Sequence, residues 1–295
     1  MTANESCTAC GHNDMKLLSA PRPQYVDQCR NCGSVFFHFG ADEALSHNDQ
    51  YNEDANYQRY LEMSNEPSIE RRHDETLAQL RSLLTERDEL RVFDVGAGGG
   101  DFLARAKRAG FIVAGNEVSE PAVKECLVRH GVALTLSDDL EAIARDSDGY
   151  DAVTMWCVLA HVDSPMDLLR GCRALLRPGG VLFLTTPRYC AIDRAAVFSS
   201  TVSSGRFRRV FDRRINHFHR RQYTAEGMEA LLRREGFAPV SVTPAIGYGL
   251  NMDEYLKSLK VPDPLAQLGG TLLERSREAN LLPRNILNVY ARAIE

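Results

Sequence analysis

From Arg91 onward, short apolar runs alternate with longer amphipathic segments. The runs, in order, read RVFDVG, FIVAGNEV, VALTLS, YDAVTMW, GGVLFLTTP, FAPVSVTP and ILNVYARAIE. Apolar strands that alternate with helices predict right-handed βαβ units and a largely parallel sheet covered on both faces. We therefore expect a doubly wound α/β domain with a seven-stranded, mostly parallel sheet and a helical insertion before the last strand.

The 295 residues suffice for one such domain and a small appendage. We predict three parts: residues 1–40 as a metal-binding module, 41–90 as a helical lid or substrate-side segment, and 91–295 as the core, with an insertion at 190–222. Apolar runs fall short of a membrane span, and the polar start MTANESCTAC is unlike a signal peptide. We therefore expect a cytoplasmic protein with reduced cysteines and no membrane partner.

The stretch VFDVGAGGGDFL places four glycines directly after the first apolar run. A phosphate-binding loop of the Walker type would end in Gly-Lys-Ser/Thr, but Asp101 and Phe102 follow Gly100. The dinucleotide fingerprint would require a third glycine at Asp101. The glycines thus allow close backbone approach, while Asp94 and Asp101 favour a cationic or zwitterionic ligand. S-adenosylmethionine (SAM), with a sulfonium, an ammonium and no phosphate, fits this loop better than NAD.

This stretch resembles motif I of the class I SAM-dependent methyltransferases, and four later segments resemble their other motifs in the correct order. The segments are FIVAGNEVS, SDDLEAI, YDAVTMWCVLAHVDSP and LLRPGGVLFLTTP. The resemblance implies that Glu117 accepts hydrogen bonds from both ribose hydroxyls, and that Asp138 or Asp139 flanks adenine together with Leu140. The full set of expected cofactor-binding residues is Asp94, Gly96, Ala97, Gly98, Glu117, Val118, Asp138, Asp139, Leu140 and Trp156.

The segment YDAVTMWCVLAHVDSP contains three candidate residues, Trp156, Cys157 and His161, and one departure from the family. Trp156, the only tryptophan, lies at the ligand edge of the sheet, where cofactor contact and simple packing are equally expected. We interpret Cys157 as a core thiol and His161 as a structural histidine. Ala160 stands where many relatives have Glu, which alters the substrate pocket if that Glu shapes it.

Two C-x-x-C pairs near the N-terminus have the spacing of a four-thiolate zinc site. Cys7, Cys10, Cys29 and Cys32 form C-x2-C-x18-C-x2-C, and a glycine follows each second cysteine. Disulfide pairing is not expected in a cytosolic chain. The presence of two matched C-x-x-C turns, here called cysteine knuckles, argues against a redox motif. Four ligands would leave no open position, so we expect a structural zinc ion that takes no part in chemistry.

Tyrosines in YNEDANYQRYLEM lie where related small-molecule methyltransferases often carry a segment that folds over the cofactor. A lid is chemically sensible because methyl transfer benefits from excluded water and aligned reactants. Half-buried packing of the tyrosines on an amphipathic helix remains the alternative. Tyr51 and Tyr57 are therefore candidate catalytic residues.

Residues 205–221 include seven arginines and one acidic residue, although the net charge of the whole chain is −5. A solvated face is the usual interpretation of such a run, but interleaved phenylalanines make this one amphipathic. Relatives often show a histidine just before the helix that follows, which here starts near Thr224. We expect His217, and next His219, to be candidate general bases, and the arginines to attract an anionic acceptor.

Three functions compete on this evidence. The first is SAM-dependent O- or N-methylation of a small molecule, such as an anionic sugar or a natural-product intermediate. The second is RNA methylation, but the acidic overall charge argues against this function. The third is a catalytically silent SAM-binding fold that acts as an interaction module, against which the intact motifs speak. The acceptor and the oligomeric state do not follow from the sequence.

Overall fold

The computed structural model describes residues 6–19, 25–38, 67–84, 87, 89–203, 206, 211, 219–247 and 252–294. The chain divides into two compact units, each formed by separate stretches of sequence. The sheet unit takes residues 45–185, 231–242 and 288–295, and the cysteine unit takes residues 1–44, 186–230 and 243–287.

A seven-stranded sheet is the framework of the sheet unit. Its strands are β4 (Leu90–Val95), β5 (Phe111–Glu117), β6 (Thr135–Leu136), β7 (Tyr150–Trp156), β8 (Leu176–Pro187), β10 (Phe237–Ala245) and β11 (Ile286–Ala293). They lie in the order β10-β11-β8-β7-β4-β5-β6. The pairs β4–β5, β4–β7, β5–β6 and β7–β8 are parallel. The predicted doubly wound sheet is confirmed, and each of the seven apolar runs overlaps one of its strands.

Helices connect the strands of this sheet. They are α2 (Asp101–Arg108), α3 (Glu120–His130), α4 (Leu140–Arg145), α5 (Pro165–Leu175) and α7 (Ala225–Arg234). Local sequence sets their ends: Ser119 caps α3 by accepting from the Ala122 amide, and Gly131 ends it in the left-handed conformation. Leu80, Leu103 and Phe183 are fully or almost fully buried in the core that the sheet and helices share.

Helix α1 (Pro67–Leu83) is the described part of the segment that the sequence assigns to a lid. Leu77 and Leu80 join the core of the sheet unit. Arg105 of α2 forms ion pairs with Glu70 at 2.8 Å and with Asp74 at 3.5 Å. Helix α1 thus packs into the core of the sheet unit. Residues 41–66 of the predicted 41–90 lid or substrate-side segment lie outside the described residues, and the lid stays a prediction.

The cysteine unit contains a second, smaller sheet. Strands β1 (Met15–Ser19), β2 (Tyr25–Cys29), β3 (Val35–His38) and β9 (Arg221–Gln222) follow one another in that order, and adjacent strands are antiparallel. Its helices are α6 (Ala191–Val202), α8 (Met252–Ser258) and α9 (Asp263–Glu278). The core is small and is formed mainly by Val26, Val35, Phe37, Tyr189, Ala196, Val197 and Phe211. Among the described helices, none has the length and apolar character that crossing a bilayer requires.

Candidate functional site

The glycine loop joins the end of β4 to the start of α2. Gly96, Gly98 and Gly100 have φ angles of 63°, 54° and 79°, a region that favours glycine because it has no Cβ. A Cβ on Gly100 would lie 2.1 Å from the Sγ of Cys126, and one on Gly96 would lie 2.8 Å from a methyl of Val158. The loop therefore owes its shape to glycine, while Gly96, Ala97 and Gly98 stay partly exposed for a ligand.

Glu117 ends β5 and ties this loop to the neighbouring strand. One carboxylate oxygen accepts from the Gly98 amide at 2.8 Å, and the other accepts from the amides of Val118 at 2.7 Å and Ser119 at 3.0 Å. A carboxylate offers about four acceptor positions, so one position remains for a further donor. A ligand that presents two hydroxyls to Glu117 would have to share or displace an amide.

Asp94 lies at the base of the loop, on β4, and is almost completely buried. Burial raises the pKa of its carboxyl to about 8, and the charge of Glu117 adds to the effect, although a hydrogen bond from Thr154 opposes it. The Thr154 hydroxyl donates to this carboxyl at 2.6 Å. The Glu117 carboxylate and the protonated Asp94 carboxyl thus lie next to backbone that a ligand can approach closely, and a cationic ligand there would favour the ionised form of Asp94.

Asp101 does not contribute to this acidic lining as the sequence indicated. Its carboxylate lies 3.0 Å from the His130 Nε2 and accepts from Arg129 at 3.4 Å, so α3 partly neutralises its charge. The acidic character of the site therefore comes from Asp94 and Glu117. The sequence could not indicate the pairing because both partners lie almost thirty residues away.

The segment after β6 carries the residues expected near adenine. Asp139 caps α4 by accepting from the Ala142 amide at 2.8 Å, and both Asp138 and Asp139 are exposed. Leu140 is buried, and a Cβ on Gly171 of α5 would lie 2.7 Å from its Cβ. The Asn116 amide binds the Ser137 carbonyl at 2.7 Å, which fixes this segment to the end of β5. An adenine contact of these residues remains a prediction.

Trp156, at the end of β7, packs within an aromatic cluster. Its ring centroid lies 4.7 Å from His73, 5.3 Å from Phe102 and 4.9 Å from Phe183, and the Arg72 guanidinium lies 5.6 Å away. Burial, followed by the charge of Arg72, lowers the pKa of His73 to about 4. Of the two expectations for Trp156, packing is the one that the contacts show, and cofactor contact remains a prediction.

Cys157 follows Trp156 with a φ of 64°, which is unusual for a residue other than glycine. Burial raises the pKa of its thiol to about 11, and its Sγ lies 3.9 Å from the His161 Nε2. A thiol with this pKa is a poor nucleophile, in keeping with the interpretation of Cys157 as a core residue. Ala160 is completely buried.

The four N-terminal cysteines converge in the cysteine unit, with all Sγ atoms within 4.8 Å of one another. The Sγ atoms of Cys7 and Cys32 are 3.6 Å apart, and those of Cys10 and Cys29 are 3.5 Å apart. These distances exclude disulfide bonds of about 2 Å. The hydrogen bond with Cys7 lowers the pKa of Cys32 to about 5, whereas the hydrogen bond with Cys32 and burial raise that of Cys7.

This donor set fits zinc. Zn–S bonds of about 2.3 Å in a tetrahedron place the sulfurs about 3.8 Å apart, close to the distances here. The Cys10 amide points at the Cys7 sulfur at 3.4 Å, and the Asn31 amide points at the Cys10 sulfur at 3.6 Å. Donors of this kind stabilise metal-bound thiolates.

The expected catalytic residues are placed only in part. His219 is half-buried in the cysteine unit, directly before Arg220 and β9. Tyr51, Tyr57 and His217 lie outside the described residues. Thr224 caps α7 by accepting from the Gly227 amide at 3.0 Å, as its position in the sequence predicts.

Comparisons with known proteins agree with this geometry. Residues 68–242, more than half of the chain, match the family model described as Methyltransferase domain. The ubiquinone biosynthesis O-methyltransferase of Haemophilus ducreyi is 37% identical over 105 residues, which cover 32% of this chain and 44% of that relative. The same enzyme of Coxiella burnetii is 33% identical over 100 residues and is covered to 42%. The chain thus spans less than half the length of these curated relatives.

Solved structures show the same fold at low identity. The plantazolicin methyltransferase in complex with S-adenosylhomocysteine (SAH) has a TM-score of 0.57 at 12% identity, with 86% of this chain and 96% of that chain covered. The magnesium protoporphyrin IX methyltransferase of Synechocystis, with bound SAH, has a TM-score of 0.54 at 14% identity, with 83% and 97% covered. The chain belongs to the methyltransferase-domain family, and its fold is that of the class I SAM-dependent methyltransferases. The resemblance seen in the sequence is confirmed.

Proposed function

We propose that this protein transfers the methyl group of SAM to a small-molecule acceptor. The observation that carries the proposal is the glycine loop beside two buried carboxyl groups, Asp94 and Glu117, which offers close backbone approach together with acceptors for a cation. SAM presents a sulfonium and an ammonium, which the Glu117 carboxylate attracts and which favour ionisation of Asp94, whereas a dinucleotide presents phosphates that Glu117 would repel.

Binding of SAH by Glu117→Ala tests the cofactor assignment. Loss of the carboxylate leaves the Gly98 amide and a ribose hydroxyl without an acceptor, which costs about 1–3 kcal/mol, or roughly 5-fold to 150-fold in affinity. Calorimetry measures this loss. Glu120→Ala is the matched control, because Glu120 lies three residues away and pairs with Lys124 at the surface. Undiminished affinity in Glu117→Ala would contradict the assignment.

The acceptor we propose is anionic, with an oxygen or nitrogen nucleophile. Two considerations support this: the arginine-rich stretch 205–221 follows the carboxyl end of β8, where ligands of such sheets bind, and the matched relatives are named O-methyltransferases. The leaving thioether is neutral, so the reaction needs no acid. A neutral histidine can take the proton of an attacking hydroxyl, typically worth about 10²–10⁴ in rate, and His217 and His219 are the candidates.

Transfer of a radiolabelled methyl group to paired acceptors tests this part. We expect methylation of carboxylated or phosphorylated alcohols and phenols over their uncharged counterparts, with a KM that rises as salt is added. His217→Ala and His219→Ala, assayed separately, identify the base by a fall in kcat at constant SAH affinity. Equal transfer to charged and uncharged acceptors would refute the anionic class, and transfer to RNA alone would replace the small-molecule assignment.

We also propose that Cys7, Cys10, Cys29 and Cys32 bind one structural zinc ion. Their spacing in the sequence and the distances between their sulfurs support this assignment. Metal analysis of the purified protein tests it, with an expected content of one zinc per chain.

A further inference from the structure

The second cysteine knuckle touches a part of the chain almost two hundred residues away. The Thr224 hydroxyl donates to the Cys32 carbonyl, and the Thr224 amide donates to the Ser34 hydroxyl at 3.4 Å. Ser34 is completely buried, which limits the access of water to its bond with Thr224.

Helix α7 begins directly on this knuckle. The Gly227 amide donates to the Thr224 hydroxyl at 3.0 Å. A Cβ on Gly227 would lie 2.1 Å from the Ser34 Oγ and 3.2 Å from the Cys32 Sγ. Only a glycine lets the first turn of α7 approach the knuckle this closely.

Backbone pairing continues this attachment toward His219. The Phe37 amide donates to the Arg220 carbonyl at 2.9 Å, and β3 pairs with β9 through Phe36 and Arg221. On the other side, the Tyr223 amide donates to the Pro187 carbonyl at 3.2 Å, and Tyr223 is completely buried. Residues 219–227, called here the histidine segment, are thus held between β3 with its knuckle and the chain that leaves β8.

We propose that the four-cysteine site positions the histidine segment, with Ser34, Thr224 and Gly227 as positioning residues that connect Cys32 to the backbone before α7. The zinc site then contributes to the residues proposed to act on the acceptor, because it sets the position of His219 and of the arginines beside it. This inference rests on the proposed zinc site and on the proposed role of the segment.

Reciprocity of coupling gives a test that needs no acceptor. If bound zinc stabilises the histidine segment, then weakening the segment must weaken zinc binding by the same factor. We expect Thr224→Val to bind zinc about 10-fold more weakly than the unmodified protein, measured at equilibrium as zinc released to a competing colorimetric chelator, an effect typical of residues that support metal ligands. Thr224→Ser retains the hydroxyl and is expected to restore tight binding.

Thr271→Val is the matched control, since Thr271 makes its hydrogen bond within its own exposed helix, to Gln267. Gly227→Ala provides a second variant, and Gly269→Ala is its control: Gly269 lies in α9, where a Cβ would meet only the tip of Leu256. At equilibrium with the chelator, both variants of the histidine segment are expected to release more zinc than their controls. If Thr224 acted only as a helix cap, Thr224→Val would lower the melting temperature but leave zinc release unchanged. That result would overturn the proposal.

Exchange of the histidine ring C2 hydrogen, followed by mass spectrometry, reports on His219 directly. In Thr224→Val we expect its exchange rate to move toward that of a free histidine, with His130 of the sheet unit unchanged. Unchanged exchange at His219 contradicts the positioning role even if zinc release changes. Failure of the proposed function would appear separately, as absent SAH binding or absent methyl transfer. Zinc release and histidine exchange can be measured whether or not the protein binds SAH or transfers a methyl group.

Discussion

The glycine loop and the four-cysteine site are both built from short turns, but they are supported in opposite ways. Behind the glycine loop lies a large core of buried leucine, valine and phenylalanine side chains. The loop is held by backbone hydrogen bonds from the Ala97 and Gly100 amides and by close packing of its glycines against Cys126 and Val158. The four cysteines belong to a unit with a small core, and their sulfurs lie close together in one place. The first site is shaped by the fold around it, whereas the second, on the proposed zinc assignment, depends on its ligand for stability.

The two sites therefore differ in what a bound ligand would contribute to folding. If the four cysteines bind zinc as proposed, the cation compensates the charge of the crowded thiolates, and metal binding and folding of that unit are one process. A carboxylate pair behind a glycine loop is held by the surrounding sheet, so ligand binding there adds to a fold that already exists. Changes at the two sites should therefore have different consequences.

Loss of the metal is expected to have the largest effect. Structural zinc contributes about 10–16 kcal/mol of binding free energy in small zinc domains, so Cys29→Ser should abolish zinc retention and expose the amides of β1 to β3 to hydrogen exchange. Amides of β7, in the sheet unit, should stay protected. Cys172→Ser is the control, since it makes the same change at a buried cysteine away from the cluster. Intact protection of β1 to β3 in the zinc-free protein would remove the contrast between the sites.

Gly100→Ala is expected to have the next largest effect. Overlap of the new Cβ with Cys126 adds about 1–3 kcal/mol of packing strain to the backbone cost of a positive φ. Gly110→Ala is the matched control: its φ of 85° is similar, but its Cβ would meet only Arg81 at 3.5 Å. Thermal unfolding should show Gly100→Ala to be the less stable variant, and Cys126→Ala should recover part of the loss. Equal melting temperatures would mean that packing does not shape the loop.

The third expected effect concerns the pH dependence of stability through Asp94. Its carboxyl keeps its proton up to about pH 8 when folded, against 3.8 as the ordinary value. The folded state therefore binds more protons between these values, so this group's contribution to stability falls as the pH rises from about 4 to about 8. Asp94→Asn should remove that part of the slope in melting temperature measured without ligand.

Asp138→Asn serves as the control, because Asp138 is exposed. Parallel curves for Asp94→Asn and the unmodified protein would show that the buried carboxyl does not titrate in this range. A cation bound beside Asp94 favours the ionised form, so the affinity for SAM should rise with pH toward 8.

Much of the fold could be predicted because its signals are local. Alternating apolar runs predicted each strand of the large sheet, and the spacing of the cysteines predicted that their sulfurs meet. The contact of Gly100 with Cys126, the pairing of Asp101 with His130 and the two-residue strand β9 could not be predicted. Each depends on residues far apart in the chain, and two residues carry no periodic pattern. Thr224 was recognisable as a helix cap, but its bond to Cys32 was not.

The order of strands in the large sheet has a consequence for synthesis of the chain. Strand β8 ends at Pro187, but its outer neighbour β11 begins only at Ile286, and β10 also follows later. A nascent chain can therefore assemble the five strands from β4 to β8 while the hydrogen-bonding edge of β8 is still open. Such an edge is a template for pairing with another chain. Ribosomal pausing or truncation between these strands should thus produce aggregation rather than a shorter soluble enzyme.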